Sequence, residues 1–250
     1  TAEFPSDFKV IRDGNFELLG GPVGSPEFCN MHTQSRVNKA LPVLAALGEL
    51  SDPQVALQLL RHCASFSKMV FSIRAVPTSF HIEALLSFDA QVRACFEQFS
   101  TLHLDEEQWV QATLATNNGG LGLRSLVKHS HAAFLASRSS CQELCRQLDP
   151  SHTLQSTDGS DPAPERMALE AYNRDVSDDA QLPHDLEGNK LAQKGLSEAI
   201  DKHTFSQLSD PNVVSTSRRA HLSLITAHGA GVFLQAAPCK DSQLNNEPAL

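Results

Sequence analysis

The chain has 250 residues, of which 41% are hydrophobic, and it carries a formal net charge of −9. This hydrophobic fraction is enough for a packed core, so a disordered chain is excluded. The acidic balance argues against nucleic-acid binding through overall charge, because phosphates require clustered Lys and Arg, but a local basic stripe is compatible with it. The sequence has no signal-peptide pattern and no run of about 18 apolar residues, so we expect an intracellular protein with no membrane partner.

The six cysteines are scattered, and a chain of this length with a core does not need disulfides, so we predict mostly buried, reduced thiols. Cys141 and Cys145 form the only closely spaced pair. A zinc site would require two further ligands at recognisable spacing. The sequence therefore predicts no metal site, and nothing in it indicates a cofactor.

The stretch F-E-L-L-G-G-P-V-G-S-P-E-F-C, which runs from Phe16 to Cys29, predicts a short strand, a turn and the start of a helix. Ser25 is a suitable N-cap and Pro26 suits the first helical position. We assign the turn to Gly20, Gly21, Pro22 and Gly24. Their spacing fits neither common phosphate-binding glycine pattern, so the turn is predicted to be structural.

Apolar residues at helical spacing predict a series of helices up to about residue 148. Proline, glycine and capping residues set the expected boundaries. The predicted helices cover residues 26–40, 43–50 after Pro42, 53–76, about 20 residues after Thr78 or Ser79, a short helix after Asp105, and about 126–148 after a glycine-rich break.

Residues 149–186 are polar and predict a flexible linker with at most one short helix, near Met167 to Tyr172. Two modest helices are expected afterwards, over 191–200 and 212–227, and the last residues are expected to fray. The predicted fold class is mainly α, a multi-helix bundle with a short N-terminal β element and a flexible polar linker.

The basic residues of the helical region suggest the only candidate binding surface. Arg61 and Lys68 are seven residues apart and Arg124 and Lys128 are four apart, so each pair is expected to share a helical face. Such a face could contact a nucleic-acid backbone, and the alternative is ordinary solvated surface. The sequence shows no nucleophile elbow, and the adjacent Asp178 and Asp179 lie in a polar stretch that indicates solvation. We therefore predict no catalytic residues and no small-molecule ligand.

Several segments, in their order along the chain, resemble a known family. They are E-L-L-G-G-P-V-G, L-P-V-L-A-A-L, D-P-Q-V-A-L-Q-L-L-R-H-C-A, F-D-A-Q-V-R-A-C-F, N-G-G-L-G-L-R-S-L and H-S-H-A-A-F-L-A-S, followed by A-H-L-S-L-I-T-A-H-G-A-G-V-F-L-Q-A-A-P. This order resembles the region downstream of the polymerase core in reverse transcriptases of non-LTR (LINE-type) retrotransposons. The resemblance covers residues 16–140 and, more loosely, 219–238.

The resemblance implies that Leu19, Gly20, Pro22 and Gly24 lie at the junction between the catalytic palm and the thumb. It also implies a helical thumb and connector that contact the template–primer, with Gly119, Gly120, Gly122 and Arg124 matching a G-G-x-G-x-R stretch. The implied division is 1–25 as the junction remnant, 26–148 as the thumb-like domain, 149–186 as the linker, 187–240 as a helical C-terminal segment and 241–250 as a tail.

The family's aromatic-x-Asp-Asp motif would lie upstream of Phe16 and does not occur in this sequence. Polymerisation requires those carboxylates to hold two metal ions, so the expectation is a fragment without enzymatic activity. Its partner would be the RNA or DNA template–primer, within a longer polyprotein. The alternative is a helical protein-interaction domain that has no nucleic-acid role.

Overall fold

The computed structural model describes residues 11–151, 164–186 and 188–236, and its mainly α class confirms the predicted fold class. The elements are β1 (Phe16–Leu18), β2 (Gly21–Val23), α1 (Pro26–Gly48), α2 (Pro53–Leu59), α3 (Phe66–Ala75), α4 (Ile82–Ser100), α5 (Glu106–Thr113), α6 (Leu126–Leu148), α7 (Pro164–Arg174), α8 (Gln193–Leu208), α9 (Thr216–Ile225) and α10 (Val232–Gln235). Within these residues, no helix combines the length and the apolar character that crossing a bilayer requires.

The N-terminal strand and the start of the first helix form as predicted, but of the residues predicted for the turn only Gly20 lies in it. β1 and β2 are antiparallel, with Leu18 opposite Gly21. Leu19 and Gly20 make the turn, and both have positive φ angles, of 50° and 81°. Two such residues suit the twist of a two-residue hairpin, and glycine adopts this conformation without strain. Gly21 and Pro22 belong to β2 rather than to the turn.

Helix α1 runs without interruption through Pro42, so the predicted restart at that residue is wrong. Proline removes one backbone N–H from the helical ladder, and the cost is smaller where water can reach the freed carbonyl. Pro42 is exposed, while Val37, Leu44 and Leu47 are buried along one face of α1. Continuous packing of this face against α4 therefore keeps the helix intact.

The helix predicted over residues 53–76 is divided into three parts. α2 is followed by a π-helical segment, Leu60–Ala64, and then by α3. Ser65 separates them, with φ −99° and ψ −120°, which is outside the helical region. Helical spacing therefore does not continue across this residue.

A first hydrophobic core lies between α1, α2, the π-helical segment, α3, α4 and the start of α6. We call it the first core, and its fully buried members include Leu60, Ile73, Leu85, Phe88 and Leu126. These residues belong to the strongly apolar helices that the sequence identifies. Leu123 extends the same core into the loop that precedes α6.

A second hydrophobic core forms where α6 packs against α7 and α8. We call it the second core, and it includes Leu135, Leu169, Tyr172, Leu186 and Ile200. Residues 164–186 are therefore packed against α6 rather than forming a solvated linker. The division of the chain into domains stays a prediction. The packing of this segment is not evident from its composition, because only a few spaced apolar residues occur in a polar stretch. Helix α6 supplies the surface that buries them.

Some of the remaining predicted helix ends and cysteine positions are confirmed and others are wrong. Helix α6 ends at Leu148 and α5 has the predicted Asp105 cap, whereas α8 extends to Leu208, beyond the predicted end. Cys29 and Cys95 are buried as free thiols, but Cys63 and Cys141 are exposed. Cys239 and the predicted tail at 241–250 lie outside the described residues.

Candidate nucleic-acid interface

A cleft of about 580 Å³ lies between the region around α3 and the loop at residues 115–124. Its lining includes Arg61, Phe66, Ser67, Val70, Gly122 and Arg124. Two of the four predicted basic residues, Arg61 and Arg124, therefore meet at one site although they are far apart in the sequence. Two guanidinium groups at one cleft can bind an anion such as a phosphate.

Gly122 permits this arrangement. Its φ angle is +76°, and a Cβ atom built on it would lie 2.8 Å from Cδ of Arg61. A larger residue would therefore strain the backbone and displace the arginine side chain. The amide of Gly122 donates to the carbonyl of Leu114 at 2.8 Å, which fixes the loop against the end of α5.

The guanidinium of Arg61 is held on one side by protein groups. Its Nη2 donates to the carbonyl of Leu234 at 2.7 Å and to Oε1 of Gln58 at 3.0 Å. Its Nη1 is buried and makes no hydrogen bond to the described residues. Burial lowers the pKa of Arg61 from its usual value, because the charged form loses solvation. The Nε of Arg61 donates to Nε2 of His62 at 3.2 Å. Arg61 is therefore a positioned cation that supplies positive charge to the cleft, with its Nε and Nη2 already bonded to protein groups.

Arg124 belongs to a buried network at the junction of α6 and α8. Its Nη2 lies 3.3 Å from Oδ2 of Asp201, and Nε2 of His129 lies 3.4 Å from Oδ1 of the same carboxylate. The Asp201 side chain is only 2% exposed, whereas that of Arg124 is 29% exposed. Burial lowers the pKa of His129, an effect that the carboxylate of Asp201 opposes. One buried carboxylate therefore joins Arg124 and His129 to α8.

The two predicted lysines occupy different positions. Lys68 is exposed on α3 and lies outside the cleft lining, because the break at Ser65 removes the helical register that would pair it with Arg61. Lys128 lies on α6, whereas Arg124 precedes that helix, so the four-residue spacing does not apply to them. Burial lowers the pKa of Lys128, while Asp175 and Asp201 act in the opposite direction.

The site also includes Phe66 and Asp201, which are not among the residues predicted from the sequence. Phe66 lines the cleft, and its ring meets the ring of His129 edge to face, with centroids 6.2 Å apart. Asp201 lies on the buried face of α8 beside Ile200 and Thr204. A lone carboxylate within an apolar helical face is the signal that could have indicated a buried ion pair.

The residues predicted at the palm–thumb junction lie together in the N-terminal hairpin. Leu19 is 93% exposed at the turn, Gly20 follows it, and Pro22 is buried in β2. Gly24 connects β2 to the N-cap residue Ser25, whose Oγ accepts from the amide of Phe28 at 3.3 Å. The hairpin contacts α1 and α3, but none of the four residues lines the cleft.

The adjacent aspartates and the possible metal ligands do not form a further site in the described residues. Asp178 and Asp179 are both exposed, in a short 3₁₀ turn. In the described parts of the chain, no group of three or more His, Cys, Asp or Glu side chains is arranged to hold a metal ion.

Comparison with known proteins gives no further assignment, since no family model, no curated protein and no solved structure matches this chain.

Proposed function

We propose that this chain is a catalytically inactive part of a non-LTR reverse transcriptase that contacts the backbone of its template–primer. The observation that carries the proposal is the convergence of Arg61 and Arg124 on one cleft. The order of sequence segments that resembles the thumb and connector supports the same origin. The polymerase chemistry would require the family's catalytic aspartates, which do not occur in this sequence.

A second candidate, a helical protein-interaction domain without a nucleic-acid role, has an observation in its favour. Both cleft arginines already have protein partners, Asp201 for Arg124 and the carbonyl of Leu234 for Arg61. The net charge of −9 also opposes long-range attraction of a polyanion. A decisive experiment must therefore separate a binding role of Arg124 from a purely structural one.

Two substitutions that break the same ion pair make this separation. Arg124→Gln removes the cation, and Asp201→Asn removes the anion that neutralises it. Both variants lose the Arg124–Asp201 pair and should lose about 1–3 kcal/mol of unfolding free energy. If Arg124 contacts phosphate, the first variant should weaken duplex binding and the second should strengthen it.

Binding is measured by fluorescence anisotropy with a labelled RNA–DNA duplex over a series of salt concentrations. Arg124→Gln should also lower the slope of log affinity against log salt by about one. Matched controls change the same charges elsewhere: Arg166→Gln on α7 and Asp179→Asn in the exposed 3₁₀ turn. Weaker binding by both ion-pair variants, or no binding by the wild type at low salt, would refute the proposed role and favour the protein-interaction hypothesis.

A further inference from the structure

The cleft has the size of a site that encloses a small group, so a duplex could offer it only a backbone phosphate. Its volume of about 580 Å³ falls within the range of roughly 300–1,000 Å³ for pockets that enclose small ligands. A duplex keeps its bases stacked inside and offers phosphates and groove edges to a protein. Only a nucleotide outside a helical stack could enter the cleft with its base.

The lining combines the three groups that an unpaired nucleotide requires. Phe66 and Val70 supply apolar surface, Arg61 and Arg124 supply positive charge, and Ser67 supplies a hydroxyl. Proteins that bind single strands use such a combination of cations for the backbone and aromatic rings for the bases. A surface that contacted only duplex phosphates would have no need of the aromatic ring.

Packing restricts the orientation of Phe66. The ring is partly buried against the first core and meets the His129 ring edge to face. His129 is itself held at Asp201, the residue that binds Arg124. The aromatic surface and the cation are therefore positioned by one network. A rigid arrangement of this kind reduces the entropy that binding would cost.

Arg124 is better suited than Arg61 to take the phosphate. Asp201 contacts one terminal nitrogen of its guanidinium, and arginine has five N–H donors, so the other two nitrogens retain donors for a ligand. Arg61 would act as a second cation, because α10 already engages its Nη2 through the carbonyl of Leu234.

We propose that the cleft binds one unpaired nucleotide of a single strand, with its base against Phe66 and its phosphate at Arg124. This inference rests on the proposed nucleic-acid contact and specifies the ligand class. It predicts a preference for single-stranded over fully paired nucleic acid, and a loss of that preference when the aromatic ring is removed.

The test compares two labelled probes on the full chain, a single-stranded oligouridylate of about eight nucleotides and a blunt RNA–DNA duplex. Phe66→Leu should weaken single-strand binding by at least about five-fold, which corresponds to the loss of one stacked base. Duplex binding should change by less than about two-fold. Phe66→Tyr keeps the ring and should bind the single strand as the wild type does.

Phe71→Leu is the matched control, since Phe71 is an exposed aromatic residue on the same helix that lies outside the cleft lining. It should leave the binding of both probes unchanged. If Phe66→Leu does not fold, a photocrosslinking experiment on the wild type tests the same contact. Photocrosslinking of a 4-thiouridine oligonucleotide should mark Phe66 or its immediate neighbours, and crosslinks found only elsewhere would overturn the inference.

The remaining outcomes separate the two proposals. If the single strand binds no better than the duplex, or if Phe66→Leu weakens both equally, the inference fails. The proposed backbone contact then still stands, provided that Arg124→Gln and Asp201→Asn shift duplex binding in opposite directions. If neither probe binds the wild type at low salt, both proposals fail together.

Discussion

The two hydrophobic cores differ in how well the sequence pattern predicts their members. The first core is built from helices that are rich in leucine, phenylalanine and valine, so periodicity alone identifies most of its members. The second core draws on α7 and the segment after it, where residues such as Leu169, Tyr172 and Leu186 stand among charged and polar neighbours. Local apolar density therefore does not tell whether a segment is packed.

What makes the second core possible is the length of α6. Its N-terminal part contributes Leu126 and Ala133 to the first core, and Phe134 and Leu135 further along belong to the second. A helix that is already fixed at one end offers a surface on which α7 and α8 can bury a few side chains. We therefore expect the two cores to unfold together in one transition.

The strongest test of this comparison uses the same substitution in both cores. Leu60 is fully buried in the first core and Leu169 is 2% exposed in the second. Each Leu→Ala change should lower the unfolding free energy by about 2–5 kcal/mol, because both leave a cavity. Urea denaturation followed by circular dichroism measures the effect.

Leu148→Ala is the control, because Leu148 is 88% exposed at the end of α6 and its truncation should cost less than about 0.5 kcal/mol. If Leu169→Ala behaved like this control, the segment would be a loosely attached linker, as the sequence predicts. A separate early transition in that variant would instead mean that the second core unfolds on its own.

Most of the fold could be predicted because its signals are local. Ser25, Pro26 and Asp105 mark helix starts in the sequence, and the structure uses the side chains of Ser25 and Asp105 as caps. The errors occur where tertiary packing overrides a local rule. Pro42 remains inside α1, and Ser65 interrupts a helix that its sequence would continue. No local pattern predicts either outcome.

The candidate site was less predictable, because its residues are joined by long-range contacts. Helical spacing would place Arg61 beside Lys68 and Arg124 beside Lys128, but in the structure Arg61 and Arg124 line the same cleft. The partner of Arg124 is Asp201, which lies in a helix much later in the chain. The glycine residues of the loop predict a break between helices, but no sequence pattern indicates that this loop places Arg124 at the same cleft as Arg61.

Acid should destabilise the fold through His81, which is fully buried at the start of α4 and lies against Thr33 of α1. Its Nδ1 lies 2.9 Å from Oγ1 of Thr33, and burial lowers the pKa of His81 from 6.5 to about 4. The unfolded chain therefore binds this proton at a higher pH than the folded chain does. As the pH falls from 6.5 towards 4, the wild type should lose about 3 kcal/mol of unfolding free energy from this residue alone.

The measurement compares wild type and His81→Gln by urea denaturation at several pH values. The variant should be less stable at neutral pH but should lose less stability on acidification. His103→Gln is the control, because the His103 side chain is 88% exposed. His129 contributes with the same sign, since burial lowers its pKa as well. Equal pH dependence in wild type and His81→Gln would contradict the assignment to His81.

Asp89 fixes the start of α6 to α4, and its loss should have the smallest of these effects. Its carboxylate, on α4, accepts hydrogen bonds from the hydroxyl of Ser125 at 2.6 Å and from the amide of Leu126 at 2.8 Å, at the start of α6. Burial raises the pKa of Asp89, and these hydrogen bonds act in the opposite direction. Asp89→Ala should therefore cost about 1–2 kcal/mol, as the loss of a helix cap does.

Asp89→Asn should cost less than Asp89→Ala, because one oxygen remains to accept from an amide at the start of α6. Asp105→Ala provides the comparison, since it removes a cap from the peripheral helix α5 without touching α6. If α6 couples the two cores, amide hydrogen exchange in Asp89→Ala should accelerate in α7 and α8 as well as in α6, whereas Asp105→Ala should change α5 alone. Acceleration confined to the first turn of α6 would mean that the second core holds the helix by itself.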